Sequence, residues 1–326
     1  PFSLSALQAL LADLRFGYGI ELVRSCVEAG VDAEAALSRF GFQIAQGNDF
    51  FEEIVKIRAL RRIWATTMKE RFGVNDPRAM HVRIHTHTSG AMLTAEQPLV
   101  NLVRTTLHAF GAALSGVQAM EVAAYDEALA IPTEASATLT LRIQQVIQEE
   151  TNITAVSDPL AGSYFVENLT EQMAKAALAL VEQIEDMGGY IAAQRQGWIR
   201  TEIEENAERW RDDVTAGRRG VVGVNRYKTE SAEEPELFTV DEEVERVAIE
   251  RVKALRAGRD GPRYDAAMTA FADAVGEFAS AAMGSINPDK LMSTAIAAAQ
   301  ADATTGEMMA VMKAKLGWDA PYNYGP

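Results

Sequence analysis

Apolar and polar residues alternate along the chain between residues 80 and 88. Met80, Val82 and Ile84 occupy one side of this period-two pattern. The positions between and after them carry basic or imidazole side chains: His81, Arg83, His85 and His87. Such alternation predicts a β-strand with one apolar and one polar face. Because strands of α/β barrels usually turn branched aliphatic side chains inward, the polar face predicts a binding or catalytic site.

Two more strands are predicted, and each of the three is followed by a helix. The first strand covers residues 36–44 and precedes a long helix that begins at Asn48 or Asp49 and ends at Gly73. The third strand covers residues 116–121. Helices are predicted over residues 3–29, 133–150, 168–187, 191–216, 241–257, 261–282, 287–301 and 304–314, and a further helix follows Gln97-Pro98 and extends to about Leu114.

Strand–helix repeats of this length are typical of a parallel sheet or a β/α barrel. Three strands cannot close a barrel, which usually has eight. The pattern therefore predicts an α/β protein that forms either an open sheet or part of a barrel completed from elsewhere. We divide the chain into residues 1–165, with the strands and their helices, and residues 166–326, a mostly helical region with an acidic linker near 228–242.

The composition excludes several classes of protein. With 326 residues, 48% of them hydrophobic, the chain is long enough for a substantial core. Its net charge of −15 argues against nucleic acid or anionic membranes as partners, because phosphate contacts need clustered Lys and Arg. The single cysteine, Cys26, excludes an internal disulfide and favours a reducing compartment. With neither an apolar run long enough to span a bilayer nor a signal-peptide pattern, a cytoplasmic location is expected.

A set of short motifs occurs in order along nearly the whole chain. The motifs are RIHTHTSG (83–90), NLVRT (101–105), YDEA (125–128), IPT (131–133), QEE (148–150), DP (158–159), GSY (162–164), GG (188–189) and GVNRY (223–227). Together they resemble the large, catalytic subunit of the adenosylcobalamin-dependent acyl-CoA mutases, the family of methylmalonyl-CoA, isobutyryl-CoA and 2-hydroxyisobutyryl-CoA mutases. The segments 48–53 and 68–73 are most similar to the 2-hydroxyisobutyryl-CoA branch.

The resemblance implies a fold and an activity. The chain would supply strands six (about 37–44), seven (80–87) and eight (116–122) of a (β/α)8 TIM barrel, and another chain would supply strands one to five. The activity implied is that of an isomerase, which rearranges the carbon skeleton of an acyl-CoA thioester by a radical mechanism and works only in a complex. The alternative is a non-catalytic paralogue that binds acyl-CoA or acts as a scaffold.

The cofactor implied by the resemblance is adenosylcobalamin, with coenzyme A entering as part of the substrate. Cobalamin domains of the family carry an Asp-x-His-x-x-Gly motif, and none of the 4 histidines has Asp two positions before it. We therefore expect a separate cobalamin-binding subunit to hold the cofactor, and a G-protein chaperone is a further expected partner. The His85-x-His87 spacing suits a metal pair, but the sequence offers no third ligand nearby, so no metal site is predicted.

The resemblance also implies the roles of individual site residues. Catalytic roles are expected of His85, Gln118 and Glu121, and binding of the substrate or its coenzyme A portion is expected of Arg39, Arg83, Thr86, His87, Ser89, Gln148 and Glu149. A guanidinium suits phosphate, although Arg39 at a strand end could also pair with a helix carboxylate. Gln148 and Glu149 could equally belong to an exposed helix face.

Strand eight departs most from the family pattern. Relatives follow the matching glutamine with Ser-Leu-His-Thr-Asn, whereas Gln118 is followed here by Ala-Met-Glu-Val-Ala (119–123). A histidine and an asparagine are thus replaced, and the carboxylate of Glu121 is new. Glu121 could recognise a cationic or hydroxylated acyl group, and it needs a partner or solvent because an unpaired buried carboxylate is costly.

Overall fold

A parallel sheet of three strands lies at the centre of the first part of the chain. Its strands are β1 (Phe42–Gln46), β2 (Ile84–Thr88) and β3 (Ala119–Glu121), in the order β1-β2-β3. Helices connect them, and both neighbouring pairs are parallel. The computed structural model describes residues 15–229, 235–281 and 288–317. The predicted mixed α/β architecture is confirmed.

The α-helices of the described ranges are numbered in chain order. They are α1 (Arg15–Glu28), α2 (Ala33–Leu37), α3 (Phe50–Phe72), α4 (Pro77–Met80), α5 (Val100–Leu114), α6 (Glu134–Glu150), α7 (Tyr164–Asp186), α8 (Tyr190–Arg195), α9 (Trp198–Thr215), α10 (Glu242–Gly258), α11 (Gly261–Ser280), α12 (Pro288–Gln300) and α13 (Thr305–Leu316). Among these described residues, no helix is both long and apolar enough to cross a membrane.

Most predicted helices are confirmed to within a few residues. The long helix after β1 ends at Gly73, whose φ of 66° lies in the left-handed region that favours glycine. The helix predicted over 191–216 is divided into α8 and α9, because Gly197 between them has a φ of 77°. Of the helix predicted over 3–29, residues 3–14 lie outside the described residues.

The first predicted strand, over 36–44, begins too early. The side chain of Asp32 accepts a hydrogen bond from the Ala35 amide at 2.9 Å and caps the short helix α2, which uses residues assigned to that strand. The strand itself starts only at Phe42. Arg39 therefore lies in the turn before β1 and not within a strand.

The other two strands also start later than the pattern predicts. Asp76 caps α4 and Pro77 occupies its first turn, so residues 77–80 are helical and β2 begins at Ile84. The third strand begins at Ala119 and not at residue 116. In both places, a local helix start or turn overrides the alternation of apolar and polar residues.

An aromatic cluster joins the sheet to the surrounding helices. Trp64 of α3 is buried, with its ring centroid 4.8 Å from that of Phe42 in β1 and 5.9 Å from that of Phe16 in α1. α7 packs against α3 and adds Met173 and Val181 to the same core. The helix α7 is therefore part of the unit that contains the sheet.

The chain forms two compact units, Pro1–Phe238 and Thr239–Pro326. The division lies near residue 238 and not at the predicted residue 165, because α7 shares the core of α3. The acidic linker predicted near 228–242 spans the division, and its residues 230–234 lie outside the described part. In the second unit, α11 and α12 pack around Phe271, Val275 and Ala298.

Candidate active site on the open face of the sheet

The sheet has a covered face and an open face. The covered face consists of alternate residues that are buried: Phe42, Ile44, Gln46, Ile84, Thr86 and Thr88. The open face consists of the residues between them and their partners on β3: Gln43, Ala45, His85, His87, Ala119 and Glu121. Because successive side chains of a strand point to opposite faces, the two imidazoles lie together on the uncovered side, as the alternation predicts.

Strand register arranges the open face in two rows across the strands. The first row is Gln43, His85 and Ala119, and the second is Ala45, His87 and Glu121. Directly opposed residues on neighbouring parallel strands are close enough for their side chains to interact. Each imidazole thus has one alanine neighbour and one polar neighbour, which leaves space beside it for a ligand.

Glu121 brings the two imidazoles together. Its Oε2 lies 3.5 Å from Nδ1 of His87 and 3.9 Å from Nε2 of His85. These are ion-pair separations, longer than an ordinary hydrogen bond. The side chains are 63% exposed for Glu121, 41% for His85 and 31% for His87, so solvent and imidazole together satisfy the carboxylate. Three predicted site residues therefore form one cluster.

Gln118 lies at the start of β3, and its amide group is engaged by the backbone. Its Oε1 accepts a hydrogen bond from the Ile84 amide at 2.7 Å, and its Nε2 donates to the Gly116 carbonyl oxygen at 3.3 Å. These bonds tie the amino end of β3 to the amino end of β2. Gln118 borders the His85 end of the open face, with its polar atoms directed to the backbone.

Arg39 and Arg83 lie at the amino ends of the strands. The guanidinium of Arg83 donates a hydrogen bond to the carbonyl oxygen of Ser38, and Arg39 is exposed in the adjoining turn. A shallow groove of about 350 Å³ passes from Arg83 to His85 and Gln118. Arg83 and the imidazole of His85 thus border the same groove.

Thr86 does not share a face with His85 and His87. It is fully buried on the covered face, and its hydroxyl oxygen has no hydrogen-bond partner among the described residues. Ser89 follows β2 directly, and its amide donates to the Gln46 carbonyl oxygen at 2.8 Å, which ties the carboxyl ends of β1 and β2 together. Of these two predicted binding residues, only Ser89 lies at the edge of the open face.

Gln148 and Glu149 lie apart from the imidazole cluster, at the end of α6. Both are exposed, and Nε2 of Gln148 donates to Oε1 of Glu149 at 2.9 Å. Gln148 borders a cleft of about 1150 Å³ that also contains Arg58 and Arg61 and is lined by Gln118 and Ala119 at the start of β3. The structure thus places Gln148 in one cleft with Gln118, but it does not bring Gln148 or Glu149 together with His85.

Two residues of the site were not predicted from the sequence. Gln43 lies opposite His85 on the open face. The sequence signal for this position is the pair of apolar residues on either side of it, Phe42 and Ile44, which are buried. Glu127 lies over Gly90 at the carboxyl end of β2, since a Cβ added at Gly90 would be 2.0 Å from Oε1 of Glu127. No local sequence signal indicates this approach, because it depends on the turn after β3.

The carboxyl group of Glu127 is electrostatically linked to the cluster. Burial raises the pKa of Glu127 above its ordinary value, and His87 acts in the opposite direction. The carboxylates of Glu121 and Asp126 raise the pKa of Glu127 further. The Glu127 carboxyl group is therefore linked electrostatically to His87 and Glu121, two members of the cluster.

A buried ion pair supports the carboxyl end of β1. Lys56 of α3 is 1% exposed, and its ammonium donates to the Ala45 carbonyl oxygen at 2.7 Å and to Oε2 of Glu53 at 2.5 Å. Because a buried charge is tolerated only when it is paired and hydrogen-bonded, this pair determines where the end of β1 lies. It thereby positions Ala45, the neighbour of His87 across the strands.

A buried histidine lies beneath the same edge. Nε2 of His108 in α5 is 2.6 Å from Oδ1 of Asn48, which follows β1. Burial, assisted by Arg104, lowers the pKa of His108 to about 4. The imidazole is therefore neutral at physiological pH and acts as a structural hydrogen-bonding group.

Parallel strands joined by helices, with one face covered and the other polar, define the first unit as an α/β protein with a candidate site on the uncovered face of its sheet. In the ranges that the structure describes, no three His, Cys, Asp or Glu side chains are arranged to hold a metal ion. The chain belongs to the methylmalonyl-CoA mutase family, whose model matches residues 11–318.

Individual relatives agree with this assignment. The chain is 36% identical to methylmalonyl-CoA mutase of Escherichia coli K12 over 291 residues, which cover 89% of this chain and 39% of that protein. It is also 36% identical to the large subunit of 2-hydroxyisobutanoyl-CoA mutase of Aquincola tertiaricarbonis, over 90% of this chain and 51% of that protein. Human mitochondrial methylmalonyl-CoA mutase is 34% identical over 92% of this chain and 39% of its own length.

The resemblance inferred from the motifs is thus confirmed, and the chain belongs to a family of isomerases that act on acyl-CoA compounds. It spans between 39% and 51% of the length of these relatives. The three-stranded sheet is consistent with part of a TIM barrel.

Proposed function

We propose that this chain is one component of an adenosylcobalamin-dependent acyl-CoA mutase, and that the open face of its sheet lines the substrate site. The observation that carries the proposal is the composition of that face. An inward-facing barrel surface is ordinarily filled with packed aliphatic side chains. Here the face carries two imidazoles, an amide and a carboxylate, which suit a ligand and contribute little to a packed core.

The proposal includes strands from outside the described sheet. β1 and β3 each pair with β2 alone among the described strands, so no described strand lies along the outer edge of either. Exposed strand edges present unpaired backbone groups that readily accept a further strand. Strands one to five of the barrel, supplied by another polypeptide, would pair with these edges and enclose the open face. A cobalamin-binding subunit and a G-protein chaperone are the other partners of the proposed assembly.

Charge along the strands supports a direction for the substrate. Arg39 and Arg83 lie at the amino ends, where guanidinium groups suit the phosphates of coenzyme A. His87 lies four residues further along β2 than Arg83, which is about 13 Å at the rise of a strand. We therefore assign the phosphate-bearing part of the substrate to the amino ends and the acyl group to the carboxyl ends.

The chain's own residues would bind, orient and shield the acyl thioester. A ligand placed over Ala119 and Ala45, the alanine neighbours of His85 and His87, would lie within hydrogen-bonding reach of the imidazole nitrogens. Closure by the remaining strands would exclude water, which favours chemistry with reactive intermediates. When bound, adenosylcobalamin supplies the radical that begins the rearrangement. The half-buried edge at His87 and Ser89 would suit the polar parts of such a cofactor, and its cobalt ligand would come from the partner subunit.

The second candidate function is that of a non-catalytic paralogue that binds acyl-CoA. One observation favours it: the amide of Gln118, a residue expected to act in catalysis, is engaged by Ile84 and Gly116. On this alternative, the assembled complex binds acyl-CoA without converting it.

The test is mass spectrometry of acyl-CoA products. The full chain is mixed with the polypeptide that carries the remaining strands, the cobalamin-binding subunit and adenosylcobalamin. The mutase proposal expects isomer formation that requires every component. His85→Ala should lower the rate by about a hundredfold, the usual effect of removing a preorganised donor. His81→Ala, which alters an exposed histidine before the strand, is the matched control and should have no effect. Binding of acyl-CoA with no isomer across a broad panel would favour the paralogue and contradict the mutase.

A further inference from the structure

The carboxyl end of the open face combines the carboxyl groups of Glu121 and Glu127 with two imidazoles. Glu121 and Glu127 both lie there, one beside His87 and the other over Gly90. In the part of the chain that the structure describes, neither carboxylate forms an ion pair with Lys or Arg. The nearest guanidinium on the same strand, that of Arg83, is at the other end and donates to Ser38.

The orientation of the imidazoles follows from the shared carboxylate. Nδ1 of His87 and Nε2 of His85 are the nitrogens that face Glu121. A neutral imidazole carries its proton on one nitrogen only, and a neighbouring carboxylate favours the proton on the nitrogen that faces it. In the neutral ring, the opposite nitrogen is a hydrogen-bond acceptor. With neutral imidazoles, the end of the site presents two ring nitrogens and the carboxylate oxygens of Glu121 as acceptors.

A surface that presents these acceptors and the carboxylate of Glu121 discriminates between acyl groups. A hydroxyl or ammonium on the acyl chain donates to these atoms, whereas a free carboxylate is placed next to carboxylates. Like charges brought together at a binding surface suppress the wrong ligand. The overall identity to relatives does not make this choice, because a methylmalonyl-CoA mutase and a 2-hydroxyisobutanoyl-CoA mutase subunit are both 36% identical to the chain.

We propose that the His87–Glu121 pair determines substrate specificity and selects acyl-CoA thioesters whose acyl group carries a hydrogen-bond donor over those that carry a free carboxylate. This inference rests on the proposed function, because it assumes that the open face receives the acyl group. It assigns to these two residues the choice of substrate class, in addition to general contact with the ligand. Glu127 reinforces the selection by placing a second carboxyl group at the same end of the strands.

The test measures binding of four acyl-CoA thioesters to the assembled complex. The probes are 3-hydroxybutyryl-CoA, β-alanyl-CoA, butyryl-CoA and methylmalonyl-CoA, with Kd determined by calorimetry. We expect the hydroxylated or amino-bearing thioester to bind at least about tenfold more tightly than methylmalonyl-CoA. Comparison of 3-hydroxybutyryl-CoA with β-alanyl-CoA shows whether a hydroxyl or an ammonium donor is preferred. Butyryl-CoA measures the contribution of the acyl chain without a polar group.

Variants of the pair separate specificity from folding. Glu121→Gln keeps the size of the side chain and removes its charge, and it should reduce the preference over methylmalonyl-CoA by about tenfold. His87→Gln should reduce the preference for the donor-bearing thioester. Glu182→Gln, an exposed position on α7, is the matched charge control and should leave all four Kd values unchanged. Both pair residues are partly exposed, so thermal unfolding should confirm an intact fold.

The possible outcomes distinguish the two proposals. If both classes of thioester bind but Glu121→Gln does not alter their ratio, or if the wild type prefers methylmalonyl-CoA, the specificity inference is overturned and the mutase proposal stands. If no acyl-CoA binds to the assembled complex, the proposed function itself fails. A preference for the donor-bearing thioester that disappears in Glu121→Gln supports the inference.

Discussion

The covered face and the open face of the sheet are built by the same strands, yet they differ in burial and in their titratable side chains. Phe42, Ile44 and Ile84 are buried in the core, whereas His85, His87 and Glu121 keep between 31% and 63% of their side-chain surface exposed. Burial of apolar surface stabilises a fold by roughly 25 cal/mol per Å², whereas exposed ion pairs contribute about 0–1 kcal/mol. Stability therefore resides mainly on the covered face, whereas the open face carries the candidate site, so substitutions on the two faces should have different effects.

The largest expected loss of stability is on the covered side. Trp64→Ala removes a buried ring that contacts Phe16 and Phe42, and it should lower the free energy of unfolding by about 3–5 kcal/mol. Tyr164→Ala, at an aromatic residue that is 95% exposed, is the matched control and should change it by less than about 0.5 kcal/mol. Urea denaturation followed by circular dichroism measures both. Similar losses in the two variants would contradict the location of the core.

The buried ion pair at the end of β1 gives the next comparison. Lys56→Ala leaves the carboxylate of Glu53 buried without its partner and should cost about 3–5 kcal/mol. The double variant Lys56→Met with Glu53→Leu removes both charges and should recover most of this loss. Urea denaturation followed by circular dichroism measures the free energy of unfolding of both variants. A double variant as unstable as Lys56→Ala would show that packing, and not an uncompensated charge, causes the loss.

His108, which lies near the carboxyl end of β1, is expected to make the free energy of unfolding depend on pH. The pKa of His108 is about 4 in the folded chain against an ordinary 6.5, so the unfolded chain binds more protons between these values. The stability contributed by the neutral imidazole is complete above about pH 6.5 and is lost as the pH falls toward 4, by about 1.4 kcal/mol per pH unit.

The measurement is the difference in unfolding free energy between the wild type and His108→Gln, at pH 7 and at pH 5. The difference should shrink at pH 5, because glutamine at this position does not titrate. Equal differences at both pH values would show that burial does not depress the pKa of His108.

The smallest effect on stability is expected on the open face. His85→Ala and Glu121→Ala remove partly exposed groups at ion-pair distance and should change the free energy of unfolding by less than about 0.5 kcal/mol. The rate of acyl-CoA conversion by the assembled complex should nevertheless fall. A loss of stability comparable to that of Trp64→Ala would mean that the open face belongs to the core, and the contrast between the faces would be lost.

The division into two faces could be predicted from the sequence, whereas the starts of the strands could not. The alternation of Ile84 with His85 and His87 indicates both faces of β2, because the side-chain period of a strand is two. The same alternation extends back to residue 80, but Asp76 and Pro77 start a short helix that includes Met80, and the strand begins only at Ile84. Where a capping signal and an alternating pattern overlap, the pattern alone misplaces the boundary.

The composition of the site could be predicted only in part. The motifs identified the family and brought attention to His85, His87 and Glu121, and the structure places these three together. The approach of Glu127 to Gly90 and the position of Gln43 opposite His85 depend on the turn after β3 and on strand register. Thr86 was placed in the site by its neighbours in the motif, although the period of the strand turns it to the covered face.

The central claim is that the open face becomes an enclosed wall of the substrate site, and labelling of a single cysteine tests it most directly. Ala119→Cys is made in a Cys26→Ser background, which leaves one thiol on the open face. Glu182→Cys in the same background is the control on α7. The rate of maleimide labelling is measured before and after the polypeptide with the remaining strands is added, and again with acyl-CoA.

The account predicts that the labelling rate of the Ala119→Cys variant falls by at least about tenfold on assembly and further with acyl-CoA, while the rate of the Glu182→Cys control is unchanged. An unchanged rate for the Ala119→Cys variant, in a complex whose formation is shown by size-exclusion chromatography, would contradict it.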